Sequence, residues 1–287
     1  MYENTGIAVR KQSEWVYENL RNPQVGKSHW SDPVVLATLS ASACCAAMFF
    51  SHEKRQGNQA LVPPDVFRSR ALTGANTIML LVGIAVFAGW YILALFLEEG
   101  LGLHPLTVGL ALLPLPLTVI AAAQLSARAM SSLGGRLSVL VAILPIAVGL
   151  AILGETRSRS LAVVLPSATL MALGAGASFS PLNWYATADV ERTRAGLASG
   201  LINTTRQVGG SLGIALLATV AMINTPHSAS GPFVAGDTAQ GLMAGDAAAF
   251  RFAALVSCLA FLLCWVLPAD RVRLPSNQTD PRVPLAE

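Results

Sequence analysis

The chain has 287 residues, of which 53% are hydrophobic and only 12% are charged, and its mean hydropathy is +0.56. A soluble domain of this size carries roughly twice that charged fraction. The net charge of +3 is too small to indicate a nucleic-acid partner. The apolar residues form long blocks, which the periodicity of a soluble amphipathic helix does not produce. The composition therefore predicts an all-α, polytopic membrane helix bundle that lies in the lipid bilayer.

Side chains that bind metals or carry covalent chemistry are few and scattered. The cysteines are Cys44, Cys45, Cys258 and Cys264, and they lie inside apolar blocks, where cysteine packs as a small hydrophobe. No CxxC spacing occurs and the histidines lie outside these blocks, so we expect no metal site. The blocks also lack paired carboxylates and a GxSxG turn. We therefore expect no cofactor and no enzymatic activity.

Seven apolar stretches predict transmembrane helices. A helix rises about 1.5 Å per residue, so about 20 residues cross a hydrocarbon core of roughly 30 Å. In chain order the stretches are Pro33–Ser51, Leu72–Leu97, Leu106–Leu125, Leu137–Gly154, Leu161–Ala186, Gly196–Ile223 and Phe250–Leu267. The connectors are short, which favours antiparallel neighbours, except for longer loops over residues 52–70 and 224–248.

These stretches divide the chain into five parts. We interpret the first stretch as a linker helix that precedes a separate bundle of six. The parts are a polar amino-terminal tail (1–32), the linker transmembrane helix (33–51), a loop (52–71), a six-helix bundle (72–267) and a carboxy-terminal tail (268–287).

Basic residues predict the orientation, because loops rich in Lys and Arg stay in the cytoplasm. One side holds Lys54, Arg55, Arg68, Arg70, Arg128, Arg136, Arg192, Arg194, Arg271, Arg273 and Arg282, whereas the connectors on the other side hold Arg157 and Arg159. We therefore expect the loop 52–71 and the carboxy-terminal tail to be cytoplasmic. An odd number of spans then puts the basic tail 1–32 outside, which the same rule disfavours. Either this tail is tolerated there, or the chain is a piece of something longer.

The sixth stretch has the most informative pattern. Gly196 and Gly200 form one GxxxG pair, and Gly209 and Gly213 form another. Small residues four apart share a helix face and let a second helix approach closely. A polar and glycine-lined strip also runs along this helix, and it should face protein or a water-filled cavity rather than lipid. The strip consists of Ser199, Asn203, Arg206, Gly210 and Gly213.

The segment from Gly196 to Gly213 resembles the thirteenth helix of the fourteen-helix drug:proton antiporters of the major facilitator superfamily. Residues 96–110 resemble that family's loop between helices nine and ten, although Glu98 and Glu99 stand where the family usually has glutamine. Residues 61–70 resemble its approach to helix nine. The resemblance covers roughly residues 32–268 and implies half of a major facilitator fold, the carboxy-terminal half of such an antiporter.

The loop Ala127–Arg136 lies where the superfamily's gating loop recurs. Arg128, Gly134 and Arg136 match that loop, whereas Ser131 replaces its acidic residue. Gating and a plain tight turn between two helices therefore both stay open.

Arg206 lies near the middle of its stretch, where an arginine costs roughly 2.5–3.5 kcal/mol on insertion scales. We interpret it, with the glycines and Asn203 beside it, as a contact to the other transporter half or as a gating or substrate residue; an internal hydrogen-bonding role is the alternative. The resemblance also implies substrate contacts, for lipophilic cations, on the helices that line the central cavity. The candidates are Phe87, Trp90, Tyr91, Phe179 and Asn183, with ordinary packing as the other reading. No Asp or Glu lies deep in a predicted span.

The resemblance implies a plasma-membrane transporter component that exports small amphiphilic compounds by alternating access, driven by proton entry. Such a transporter forms its site between two halves. We therefore expect the chain to be incomplete alone and to need an amino-terminal half or a second copy as partner. The alternative is a non-transporting membrane protein, either a truncated remnant or a scaffold for other membrane complexes.

Overall fold

The structure is a computed structural model that describes residues 33–56, 69–155, 160–224 and 238–268. The described residues are almost entirely helical and include no strand. The chain divides into two compact units, residues 1–63 and 64–287. The all-α prediction is therefore confirmed for the described part of the chain.

The first unit contributes one described helix, α1 (Pro33–Gln56). It covers the predicted linker helix and continues five residues into the predicted loop. That α1 crosses the membrane stays a prediction.

The second unit is a helix bundle with six candidate membrane spans, which correspond to the second to seventh predicted stretches. The third helix of the chain is short and runs into the fourth, so the two together form one span, Pro105–Leu133. The helices are α2 (Arg70–Leu95, extended by a π-helical turn at Phe96–Gly100), α3 (Pro105–Leu112), α4 (Pro114–Leu133), α5 (Gly135–Glu155), α6 (Leu161–Ala188), α7 (Ala195–Asn224) and α8 (Thr238–Leu263).

Side-chain caps explain where several helices begin. Ser69 accepts a hydrogen bond from the backbone N–H of Leu72 at 3.2 Å and caps α2. Ser160 caps α6 in the same way. Such caps satisfy backbone donors that have no partner in the first turn of a helix. At the turn between α4 and α5, Gly134 has φ +80°, a conformation that costs glycine little because it has no Cβ.

The start of α8 differs from the sequence prediction. Residues 224–248 were predicted as one loop, but α8 begins at Thr238 and its apolar span runs over Met243–Val266. The prediction was wrong for residues 238–248 because this segment is too polar to read as a span, although helix formation needs no hydrophobicity. Asp246 and Arg251 therefore both lie inside the helix.

Two of the spans contribute little to the core of this unit. The bundle is centred on α2, α5 and α6, and α8 packs against α2, α5 and α7. In its most apolar part, the span 105–133 has 17% of its residues buried, and the span 195–224 has 22%. The corresponding share for the span of α2 is 61%. The helices α3, α4 and α7 therefore present most of their surface outside this bundle.

A close glycine contact joins α2 to α7. A Cβ added to Gly209 would lie 2.4 Å from the carbonyl oxygen of Leu80, and one added to Gly213 would lie 2.4 Å from that of Ile84. A Cβ added to Gly83 on α2 would lie 2.6 Å from the carbonyl oxygen of Arg206. No other residue allows this separation, because any Cβ would push the two backbones apart.

A polar contact reinforces the same helix pair. The Thr205 hydroxyl donates to Oδ1 of Asn76 at 2.8 Å, and Nδ2 of Asn76 donates to the carbonyl of Leu72 at 2.9 Å. Asn76 is only 9% exposed. Both polar atoms of its amide are therefore satisfied where water is excluded.

Contacts between helix ends show which ends of the second unit lie together. Ser69 donates to Asp189 at 3.4 Å, Tyr185 donates to the carbonyl of Pro268 at 2.9 Å, and the Arg136 guanidinium lies 4.2 Å from the Trp265 ring centre. We call this end, which also includes Arg70, Arg128 and Arg194, the basic end. At the opposite end, Nε of Arg251 donates to Glu155 at 2.9 Å, so α5 and α8 are paired there.

We expect Gly209→Ala to destabilise the purified protein by about 1–3 kcal/mol, the usual effect of overpacking a tight contact. The added methyl group would meet the Leu80 backbone, which cannot rotate away. The measurement is the thermal unfolding midpoint in detergent. Gly200→Ala is the matched control on the same helix, because a Cβ there meets nothing within 4 Å. Equal midpoints for the two variants would contradict the close contact.

Candidate functional site

A cavity of about 320 Å³ lies between α2, α4, α6 and α7. The lining is mainly apolar, with aromatic rings from α2 and α6. Its lining residues are Met79, Val82, Gly83, Val86, Phe87, Trp90, Val119, Ile120, Ala123, Gln124, Ala175, Gly176, Ser178, Phe179 and Arg206. A concave apolar site with a few polar groups is the usual form of a small-molecule binding site.

Arg206 is the one ionisable side chain in this lining. Its Nη2 donates to Oδ1 of Asn203 at 2.8 Å, one helical turn earlier on α7. Its guanidinium carbon lies 5.1 Å from the ring centre of Phe179 and 5.7 Å from that of Phe87. Both distances fall within the range of cation–π attraction. The charge is thus held between two aromatic rings, with a neutral amide as its hydrogen-bond partner.

Two donors on the cavity side chains are buried without an acceptor, Nε of Arg206 and Nε1 of Trp90. The rings of Phe87 and Trp90 lie 5.7 Å apart, so Phe87 contacts both of these side chains. An unsatisfied buried donor typically costs about 1–3 kcal/mol, and native structures contain few of them. The cavity therefore holds donors for which the described chain supplies no acceptor.

The predicted substrate residues separate into two groups. Phe87, Trp90 and Phe179 line the cavity. Tyr91, one turn after Phe87, does not line the cavity and is 44% exposed. Asn183 also lies outside the lining; its side chain donates to the carbonyl of Phe179 at 2.8 Å. Substrate contact by any of the five stays a prediction.

Sequence reasoning missed the contribution of α4. Gln124, Val119 and Ile120 line the cavity from this helix. Gln124 is a polar amide inside an otherwise apolar stretch, and this was the available signal. The two aliphatic residues carried no signal, because α4 is apolar on several faces.

The glycines that were predicted to lie at an interface also fall into two groups. Gly196 and Gly200 are exposed, with nothing within 4 Å of an added Cβ. Gly209 and Gly213 are buried against α2, and a Cβ on Gly210 would lie 3.1 Å from the Phe87 ring. The second GxxxG pair thus packs inside this bundle, whereas the first stays open to a further helix. A contact of these residues with another transporter half is untested.

The candidate gating residues lie at the basic end. Gly134 forms the turn between α4 and α5, and Arg136 stacks on Trp265. Arg128 lines a second cavity of about 640 Å³ between α4, α5 and α6, whose other lining residues are mostly apolar. A tight turn, one of the two interpretations that the sequence allowed, is therefore present between α4 and α5. A gating role for Arg128, Gly134 and Arg136 stays a prediction.

Asp246 is a buried carboxylate that the sequence placed in a loop. It is 9% exposed and lies on α8, one turn inside the span that begins at Met243. Among the described carboxylates it lies furthest inside a span, although still near the end of that span. Its signal was hidden because the helix start was predicted too late.

Comparison with known families matches residues 24–214 to the Major Facilitator Superfamily. This match covers more than half of the chain. It includes α2 to α6 and the part of α7 that carries Arg206 and the buried glycines.

Three characterised relatives illustrate the similarity. The puromycin resistance protein pur8 of Streptomyces alboniger is 32% identical over 85% of this chain and 50% of its own length. The multidrug resistance protein Stp of Mycobacterium tuberculosis is 28% identical over 71% of this chain and 37% of its own. The cephamycin export protein CmcT of Amycolatopsis lactamdurans is 29% identical over 71% and 43%. The chain thus spans about half or less of the length of these relatives.

We expect Arg206→Met to leave the unfolding midpoint in detergent unchanged or to raise it. Removing the charge relieves an insertion cost of roughly 2.5–3.5 kcal/mol. The two ring contacts that are lost are worth about 0.5–1 kcal/mol each. Arg251→Met is the control, because this arginine has a carboxylate partner; its exposed ion pair should cost at most about 1 kcal/mol. A large fall for Arg206→Met alone would show that Arg206 is structural.

Proposed function

Because the chain belongs to the major facilitator superfamily, we propose that it acts as the carboxy-terminal half of a fourteen-helix drug:proton antiporter. In this proposal it takes part in the export of amphiphilic compounds by alternating access. The observation that carries the proposal is the cavity between α2, α4, α6 and α7, with its aromatic and apolar lining and the cation Arg206. The relatives named for puromycin resistance, multidrug resistance and cephamycin export support the same function.

The surface of the bundle supports a second half as partner. The spans of α3–α4 and of α7 are the least buried of the six, and both helices that line the cavity from this side, α4 and α7, belong to them. The open glycines Gly196 and Gly200 lie on α7. A transporter of this architecture binds its substrate between two halves. We therefore infer that an amino-terminal half, or a second copy, covers this side and completes the cavity.

Proton coupling requires a carboxylate that binds and releases protons along the pathway. Asp246 lies near the end of its span, at the end of the bundle opposite Arg136. The cavity lining itself includes no acidic residue. We therefore expect the coupling carboxylate to come from the partner half.

The first test reconstitutes the purified chain in lipid vesicles with an imposed proton gradient and a fluorescent amphiphile. We expect no proton-driven efflux from the chain alone, because half of the site is missing. Adding the amino-terminal half of the pur8 relative should restore efflux, and Phe87→Ala should abolish it again.

Two other outcomes separate the alternatives. Efflux by the chain alone, lost in Phe87→Ala, would show that a second copy completes the site. Binding of no amphiphile, with or without a partner half, would contradict the transport proposal and favour a scaffolding protein.

We expect the basic end to face the cytoplasm of the cell that holds the protein in its plasma membrane. Arg70, Arg128, Arg136 and Arg194 all lie at this end, and Pro268, the first residue of the carboxy-terminal tail, lies there too. The measurement is a carboxy-terminal fusion, to green fluorescent protein or to alkaline phosphatase. Fluorescence without phosphatase activity is expected, since the first folds in the cytoplasm and the second outside it. The reverse pattern would contradict the orientation.

A further inference from the structure

The charge of the cavity points to one class of substrate. We propose that the cavity selects amphiphiles with an anionic acceptor group, a carboxylate in the simplest case, and that Arg206 recognises this group. This inference rests on the proposed function, because it assumes that the cavity binds the transported compound. It departs from the lipophilic cations expected from the resemblance.

The described lining of the cavity carries one positive charge and no negative charge. Arg206 is the single ionisable residue in the lining, and the polar residues that accompany it, Gln124 and Ser178, are neutral. Ser178 already donates its hydroxyl hydrogen to the carbonyl of Ala175. Arg251 pairs with Glu155 at the end of the bundle, whereas Arg206 has no carboxylate partner among the described residues. The cavity therefore carries a net positive charge from this chain.

Two side chains of the lining also have hydrogen-bond donors without acceptors in the described part of the chain. Nε of Arg206 and Nε1 of Trp90 are both buried without an acceptor. An anionic group would supply acceptor oxygens for such donors, and hydrogen bonds to ionised groups are roughly twice as strong as neutral ones. Neighbouring atoms cover the two nitrogens, so an oxygen reaches them only after a rotamer change. The guanidinium charge acts on a bound ligand in any rotamer.

The aromatic rings of Phe87 and Phe179 already have a cation, Arg206, beside them. A cationic ligand would bind most strongly over the faces of Phe87 and Phe179, but the Arg206 guanidinium lies within 5.7 Å of both ring centres. A second cation there would meet a like charge in a site of low dielectric constant, where repulsion is stronger than in water. The aliphatic residues Val82, Val86 and Ile120 remain as contacts for the apolar body of the ligand.

The test measures binding of three fluorescent probes to the full chain in phosphatidylcholine nanodiscs. The probes share one dansylated alkyl chain and end in a carboxylate, a methyl ester or a trimethylammonium group. We expect the carboxylate probe to bind at least about tenfold more tightly than the trimethylammonium probe, the effect of one charge-assisted hydrogen bond. Equal or tighter binding of the cation would overturn the inference.

Variants test whether Arg206 causes the preference for the carboxylate probe. Arg206→Gln should weaken the carboxylate probe about tenfold or more and should leave the ester probe nearly unchanged. Arg206→Lys, which keeps the charge, should retain most of the preference, and Trp90→Phe should reduce it by a smaller factor. Arg70→Gln removes one exposed cation at the basic end and should change nothing. A preference that survives Arg206→Gln would contradict the role of Arg206.

The ester probe distinguishes a failure of the charge preference from a failure of the proposed function. If it binds and Phe87→Ala weakens it, the cavity binds amphiphiles, and a missing anion preference then overturns only the inference about charge. If none of the probes binds in a way that depends on Phe87, with or without the amino-terminal half of the pur8 relative, both the inference and the proposed function fail.

Discussion

The close approach of α2 and α7 is the constraint on which the rest of the site depends. Gly83, Gly209 and Gly213 bring the two backbones into direct contact, and the Thr205–Asn76 hydrogen bond lies on the same helix pair. Because α7 is pressed against α2 at this level, the Arg206 side chain lies beside the ring of Phe87 instead of extending into lipid. A wider separation would remove the aromatic contacts of the guanidinium and enlarge the cavity. Close packing at glycines, which have no side chain, thus positions the charge of Arg206.

The placement of Arg206 is costly for the stability of this bundle. Its partners are a neutral amide and two aromatic rings, which offset only part of the cost of a charge at this depth. Arg251 shows the opposite arrangement, since its ion pair with Glu155 lies at the exposed end of the bundle. In the proposed function, a ligand or a partner half would account for a charge that has no carboxylate partner among the described residues of its own unit.

The six spans also differ in how much they contribute to the core and to the surface of the bundle. The helices α2, α5 and α6 supply most of the core, whereas α4 and α7 combine cavity-lining residues with largely unburied surface. The same two helices therefore border both the cavity and the surroundings of the bundle. This arrangement suits a half-transporter, because a partner that packs on α4 and α7 would also close the cavity.

The sequence by itself determined the class of the protein, six of the spans and the importance of the Gly196–Gly213 segment, because hydropathy and glycine spacing are local properties of a short window. It misplaced the start of α8, since polar residues 238–248 form a helix that hydropathy does not report. Only the tertiary structure decided which side chains share the cavity. The apolar helices α2 and α6 are hydrophobic all round, so no periodicity indicates which face is inward, and Phe87 and Tyr91 could not be separated. Likewise, the two GxxxG pairs are equivalent in sequence, and only the position of α2 makes one pair buried and leaves the other open.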